Sequence, residues 1–247
     1  MNIDHSATVD RSEIDRFAAH SAGWWDPHGS FWALHRLNPA RIGFIRDELI
    51  AHFQRDARSL RPFEGLTLVD IGCGGGLLAE PMARLGFAVT GIDAAAEAID
   101  VARSHANAGR LAIDYRVTTA ESLAAEGGQF DVVLALELIE HVANRAALLA
   151  ACGALVKPGG AFIGATLNRT ARAFALAIVG AEWVLGWLPP GTHDWNRFVR
   201  PSEFALGLRR AGLSPTRLVG LSYRLTSGEW AVSDDLSVNY MVTARKR

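Results

Sequence analysis

Between Pro62 and Thr166 short apolar runs alternate with stretches of helical spacing. LTLVDI (66–71) is apolar and β-branched, which predicts a buried strand. Glycines follow, then a helix through Leu78, Met82 and Leu85 that Gly86 closes. AVTGID (88–93), AIDYRV (112–117), FDVVLAL (130–136) and AFIGAT (161–166) read as further strands. Helices are expected over 95–108 and 144–156, and Pro158-Gly159-Gly160 reads as a turn. Such alternation implies an α/β fold, a parallel sheet with helices on both faces.

The flanks follow other patterns. Asn38-Pro39 predicts a helix start, with Ile42, Ile45, Leu49 and Phe53 at spacings of three and four. Phe17, Trp24, Trp25, Phe31 and Trp32 precede it. A solvated tail needs no such rings, so part of this region is expected to dock on the body or cover a site. Residues 167–200 are long, apolar and Trp-rich. Pro201-Ser202-Glu203 opens a helix to Arg210, and RLVGLSY (217–223) and SVNYMVTA (237–244) suggest a terminal antiparallel pair. One domain is expected in four parts: an N-terminal helical cap (1–60), a cofactor-binding core (61–166), an apolar lid (167–201), and a C-terminal helix and hairpin (202–247).

Composition narrows the function. Of 247 residues, 49% are hydrophobic, and 25 Lys+Arg stand against 26 Asp+Glu. That balance speaks against a nucleic-acid partner, which calls for a basic surplus. Two cysteines, Cys73 and Cys152, give no disulfide framework and no cysteine-based zinc site. The first residues do not read as a signal peptide, so a cytoplasmic location is expected.

The sharpest signal is VDIGCGGG (69–76), followed by Asp93 at the end of the next strand. Glycines let the backbone turn sharply and approach a ligand. A carboxylate at the end of the second strand can take ribose hydroxyls. Gly74-Gly75-Gly76-Leu77-Leu78-Ala79 matches the loose dinucleotide pattern G-x-G-x-x-A, a weak signal alone. Asp70 at the loop mouth would repel a pyrophosphate and suits a ligand bearing an ammonium and a sulfonium, S-adenosylmethionine.

LELIEH follows the fourth strand, at the sheet edge where such folds bind ligands. A helix starting at Glu137 would put Glu137, Glu140 and His141 on one face. Two chemistries fit: oxygen ligation of Mg2+, or acid–base work with His141 taking a phenol proton. His193 and Asp194 in GTHDW form a second polar pair, which shapes a substrate pocket or assists the proton; His20, His28 and His35 rank below His141.

VDIGCGGG, TGID, FDVVLALELIEH and LVKPGG, in this order, resemble the class I S-adenosylmethionine-dependent methyltransferases. WWDPHGSFWALHRLNPAR, ATLNRT, GTHDW and VNYM narrow the resemblance to the bacterial ubiquinone-biosynthesis O-methyltransferase family, from about Asp10 to Met241. The resemblance implies a Rossmann-like, mostly parallel seven-stranded sheet. It implies cofactor contacts from Arg36, Gly72, Asp93 and Leu136, beside Asp70 and Gly74 of the loop. It favours Mg2+ on Glu137, Glu140 and His141. The substrates it implies are polyprenylated catechol-type rings, 2-polyprenyl-6-hydroxyphenol and 3-demethylubiquinol, with other ubiquinone-biosynthesis enzymes as partners. Methylation of another phenol or lipid, a nicotinamide-dependent oxidoreductase, and a non-catalytic lipid binder stay open beside it.

Residues 169–190 carry Arg169, Arg172, Trp183 and Trp187, and their apolar stretch 173–188 is only 16 residues long with Glu182 near its middle, too short to span a bilayer. This segment is expected to line the substrate pocket, to lie in the interface on the inner face of the cytoplasmic membrane, or both.

Overall fold

A computed structural model describes residues 23–176, 178, 194–224, 226 and 228–247. The central strands are β1 (Thr67–Ile71), β2 (Ala88–Asp93), β3 (Ile113–Val117), β4 (Phe130–Leu136) and β5 (Val156–Leu167). They are joined through α2 (Ala79–Arg84), α3 (Ala96–Ala108), α4 (Ala120–Ala125) and α5 (Arg145–Leu155), with α1 (Trp32–Phe53) before them. The helix α6 (Pro201–Arg210) leads into β6 (Leu213–Arg224), β7 (Glu229–Ser233) and β8 (Asn239–Lys246).

The sheet order is β3-β2-β1-β4-β5-β8-β6-β7. The first five strands pair in parallel, and β8 runs antiparallel between β5 and β6. The eighth strand is one more than expected. It is β7, an edge strand paired with β6; EWAVS is short and none of its residues is fully buried, so it lacks a core signature.

Alternate residues of the central strands feed two cores. Leu68, Leu134 and Ile163 pack with α1 and α3 on one face. Val69, Val133 and Phe162 pack with α5 and α6 on the other. A sheet covered on both faces needs continuous apolar strands, which is the pattern of LTLVDI and FDVVLAL.

Two expected starts are corrected. The first helix begins at Trp32, and Pro39 lies inside it. Its first turns are held by tertiary contacts: Phe31 stacks on Trp24 and the His35 ring bonds the Trp24 carbonyl at 2.8 Å. No helix starts at Glu137; residues 137–144 are turns and irregular, and α5 begins at Arg145 behind the N-cap Asn144. Glu137 has φ 51°, a left-handed conformation that a helix of L-residues does not accommodate.

Candidate active site

Strand order reverses where β1 lies between β2 and β4, so connections leave to opposite sides and open a crevice at the carboxyl ends of the strands. The glycine loop follows β1, Asp93 ends β2 and Glu137 follows β4. The fold thus brings the acids and glycines that sequence singles out to one edge.

The loop is tied down by backbone bonds. Gly72 and Cys73 N–H both donate to the Ile92 carbonyl, at 2.8 and 3.0 Å. Asp93 accepts from Gly74 N at 2.9 Å with one oxygen and from Ala95 N at 2.9 Å with the other. Gly74 and Gly76 have φ of 51° and 88°. A Cβ on Gly76 would collide with the Tyr115 hydroxyl, and one on Gly75 would lie 2.5 Å from Trp24 Cγ. Tyr115 is a prop that sequence reasoning missed, since a single tyrosine in a strand gives no distinguishing signal.

Asp70 is buried, and its Oδ2 has no hydrogen-bond partner among the described residues. Burial, then the nearby charge of Asp93, pushes its carboxyl up to about 7. Burial also raises Asp93, and the backbone donors of Ala95, Gly74 and Ala94 oppose that rise. Leu136 packs half-buried against the first core. The Arg36 guanidinium donates to the Gly228 carbonyl at 2.9 Å and lies over the Trp32 ring.

The second cluster gathers differently from expectation. Glu137 pairs with Arg41 of α1. Glu140 is buried, accepts from the Thr166 hydroxyl at 2.9 Å, and leaves Oε1 without a partner among the described residues. Burial first, then the charge of Glu137, raises its carboxyl well above the usual range. His141 sits in the turn, its N–H donating to the Leu138 carbonyl. Among the described residues no three His, Cys, Asp or Glu side chains group closely enough to hold a metal, so the expected convergence of Glu137, Glu140 and His141 is not found. The turn replaces the single helical face that would have produced it. Arg41 was missed too, although it shares a face with Leu37, Phe44 and Ile45, all buried. An arginine on an apolar face needs a buried anion.

Of the remaining candidates, Asp194 caps the short turn Trp195–Arg197, and Cys73 lies in the first core. His20, Trp183, Trp187 and His193 lie outside the described residues. Arg169 and Arg172 form ion pairs with Glu203 and Asp235. Among the described residues no helix is long and apolar enough to cross a membrane.

The methyltransferase-domain family matches residues 41–218. A ubiquinone biosynthesis O-methyltransferase of Paramagnetospirillum magneticum is 55% identical over 240 residues, covering 97% of this chain and 96% of that one. One of Cereibacter sphaeroides is 53% identical, covering 99% and 100%. Among solved structures, magnesium protoporphyrin IX methyltransferase from Synechocystis PCC 6803 with bound SAH (S-adenosylhomocysteine) aligns with a TM-score of 0.64 at 20% identity, covering 96% of this chain and 100% of that one. This likeness shows the shared fold, and the sequence relatives show the family. With its glycine loop, Asp93 and the acidic turn after β4 at one crevice, the chain belongs to the ubiquinone biosynthesis O-methyltransferases.

Proposed function

We propose that this chain transfers the methyl group of S-adenosylmethionine to a phenolic hydroxyl of polyprenylated catechol-type intermediates, 2-polyprenyl-6-hydroxyphenol and 3-demethylubiquinol. The observation that carries this reading is the glycine cradle with a buried, unpartnered carboxylate oxygen of Asp70 at its mouth. When bound, S-adenosylmethionine supplies a methyl carbon on a positively charged sulfur. Gly72 and Gly74 let backbone approach it, Asp93 faces its ribose, Asp70 compensates its positive charge, and Arg36 with Leu136 completes the site.

The acceptor oxygen is a weak nucleophile while protonated, because a phenol has a pKa near ~10. His141 takes that proton, and Glu137 and Glu140 orient the ring hydroxyls. The carbon–sulfur bond breaks as the carbon–oxygen bond forms, and the electron pair stays on sulfur. Most of the acceleration comes from holding donor and acceptor in line.

Asp70 makes the cofactor step pH-dependent. Its folded carboxyl sits near 7 against 3.8 for the free group. Between these values the folded, unliganded protein holds a proton that the unfolded chain lacks, so this group's contribution to stability falls as pH rises through the window. A cationic ligand favours the ionised form and expels the proton. S-adenosylmethionine affinity is therefore expected to rise with pH up to about 7, by at most ~10-fold per unit, and then level off. Asp70→Asn should flatten the profile. Calorimetry across pH 5–8 (about 5 to 8) checks this, and a wild-type profile as flat as that of the variant sinks the role given to Asp70.

A divalent ion such as Mg2+ is part of the same reading. Glu137, Glu140 and His141 do not group closely enough to hold it as they stand, so it would bind only once Glu137 leaves Arg41 and joins Glu140, whose buried Oε1 has no partner among the described residues. It would supply a positive charge that lowers the phenol pKa. Exhaustive chelation is expected to lower turnover by ~10-fold or more, with recovery on adding Mg2+. Full activity after chelation leaves His141 as the base without a metal.

The polyprenyl tail points to the bilayer as the substrate's reservoir. Phe174 and Leu176 are exposed apolar residues at the start of the 169–190 segment. We place this segment at the inner face of the cytoplasmic membrane. Trp183→Ser with Trp187→Ser should reduce co-sedimentation with anionic liposomes. Wild-type protein that stays in the supernatant removes the membrane from the proposal.

A further inference from the structure

We propose that Trp24 is a cofactor-binding residue, whose indole N–H donates to an oxygen of the bound cofactor. This rests on the S-adenosylmethionine reading above and adds to it a residue outside the glycine loop and its acids.

The geometry begins with the ring's position. Trp24 is buried and stacks on Phe31 with centroids 3.7 Å apart and planes at 4°. A Cβ built on Gly74 would meet its Cη2, Cζ2 and Cε2, and one built on Gly75 would meet its Cβ, Cγ and Cδ1. Nε1 is bonded to both Cδ1 and Cε2. The N–H edge of the indole therefore runs along the Gly74–Gly75 backbone, at the cradle where the cofactor must approach.

That N–H is buried and has no hydrogen-bond partner among the described residues. A buried tryptophan N–H normally finds an acceptor, because leaving the donor unmade costs its desolvation. Asp70 Oδ2, at the mouth of the same loop, is an unpartnered buried acceptor. The crevice at this loop thus presents an orphan donor from Trp24 and an orphan acceptor from Asp70 that do not satisfy each other among the described residues. A ligand carrying both acceptor oxygens and a positive charge satisfies the two together, and S-adenosylmethionine has that character.

The ring is also held in place. The Trp24 carbonyl is bonded by the His35 ring at 2.8 Å. The next residue, Trp25, donates its Nε1 to the Gly75 carbonyl at 2.9 Å. Its indole stacks on His105 at 3.5 Å, and His105 bonds the buried carboxylate of Glu80 at 2.6 Å. Residue 24 is thus tied to α1 through His35 and residue 25 to the loop through Gly75, while Phe31 stacks on the Trp24 ring, so an oxygen reaching Trp24 Nε1 meets a donor that is already oriented.

The experiment titrates S-adenosylhomocysteine by calorimetry into the wild-type full chain, Trp24→Phe and Trp24→Tyr. Both variants keep an aromatic ring and remove the indole N–H. The expected result is affinity weaker by about 5- to 20-fold in each, with a ligand-free melting temperature at or above that of the wild type, since an unpaired buried donor has been removed. A purely structural role predicts the reverse, a lower melting temperature and unchanged affinity in the folded fraction. Wild-type affinity in either folded variant overturns the assignment of Trp24 alone. No binding by the wild type overturns the cofactor reading, and the role of Trp24 falls with it.

Discussion

Replacing Asp93 with alanine is expected to weaken cofactor binding by about 10- to 100-fold, the scale of one charged hydrogen bond at ~1.5–3 kcal/mol. The carboxylate does two jobs at once. In the proposed site it takes the ribose hydroxyls, and in the structure it fastens the glycine loop to the end of β2 through Gly74 N while capping the approach to α3 through Ala95 N. Alanine leaves both backbone donors without their acceptor, so the loop loses its shape as well as a contact. Asp93→Asn keeps one acceptor oxygen and should fall between the two. S-adenosylhomocysteine titration measures both variants. A folded Asp93→Ala protein with the wild-type dissociation constant would remove Asp93 from the site.

The second large effect is on stability. Phe162 is fully buried at the centre of β5, opposite Val133 of β4 and Ala244 of β8. Its ring meets Phe204 of α6 edge-on, with centroids 6.2 Å apart. Phe162→Ala opens a cavity between three strands and a helix that cannot close without bending the sheet. Such truncations cost ~3–5 kcal/mol, or about 6–20 °C in melting temperature for a chain of this size. The site lies at the strand ends, so cofactor affinity in the remaining folded protein should change little. A loss under ~1 kcal/mol by denaturant titration would contradict this description of the second core.

The elements legible in the sequence are those whose local signal and tertiary environment agree. AVTGID, FDVVLAL and the helix from Pro201 to Arg210 have the bounds their patterns predict, because strands buried on both faces and a Pro-started helix carry their own punctuation. The first helix was read too late. Pro39 marks a helix start in isolation, but the aromatic contacts of Trp24, Phe31 and His35 carry the helix back to Trp32. The strand β7 was missed because a half-exposed edge strand needs only a neighbour's free edge, and no apolar run announces that.

The candidate site divides in the same way. The glycine loop was legible because the positive φ of Gly72, Gly74 and Gly76 favours glycine, and Asp93 because it ends a strand whose apolar pattern gives its bounds. The turn at Glu137–His141 was not, since nothing local announces that a glutamate will take a left-handed conformation. Arg41 on the facing helix completes that turn through an ion pair across 96 residues of sequence. Contacts of that span are visible only once the sheet has set the two elements side by side.

Methyl transfer itself is the most direct measurement. The chain, S-adenosylmethionine with an isotope-labelled methyl group, Mg2+ and a short-chain demethylubiquinol are incubated, and the products are read by mass spectrometry. The expected result is one labelled methyl on a ring oxygen and an equal amount of S-adenosylhomocysteine. Intact demethylubiquinol in the presence of a protein that binds S-adenosylhomocysteine would contradict the proposed acceptor.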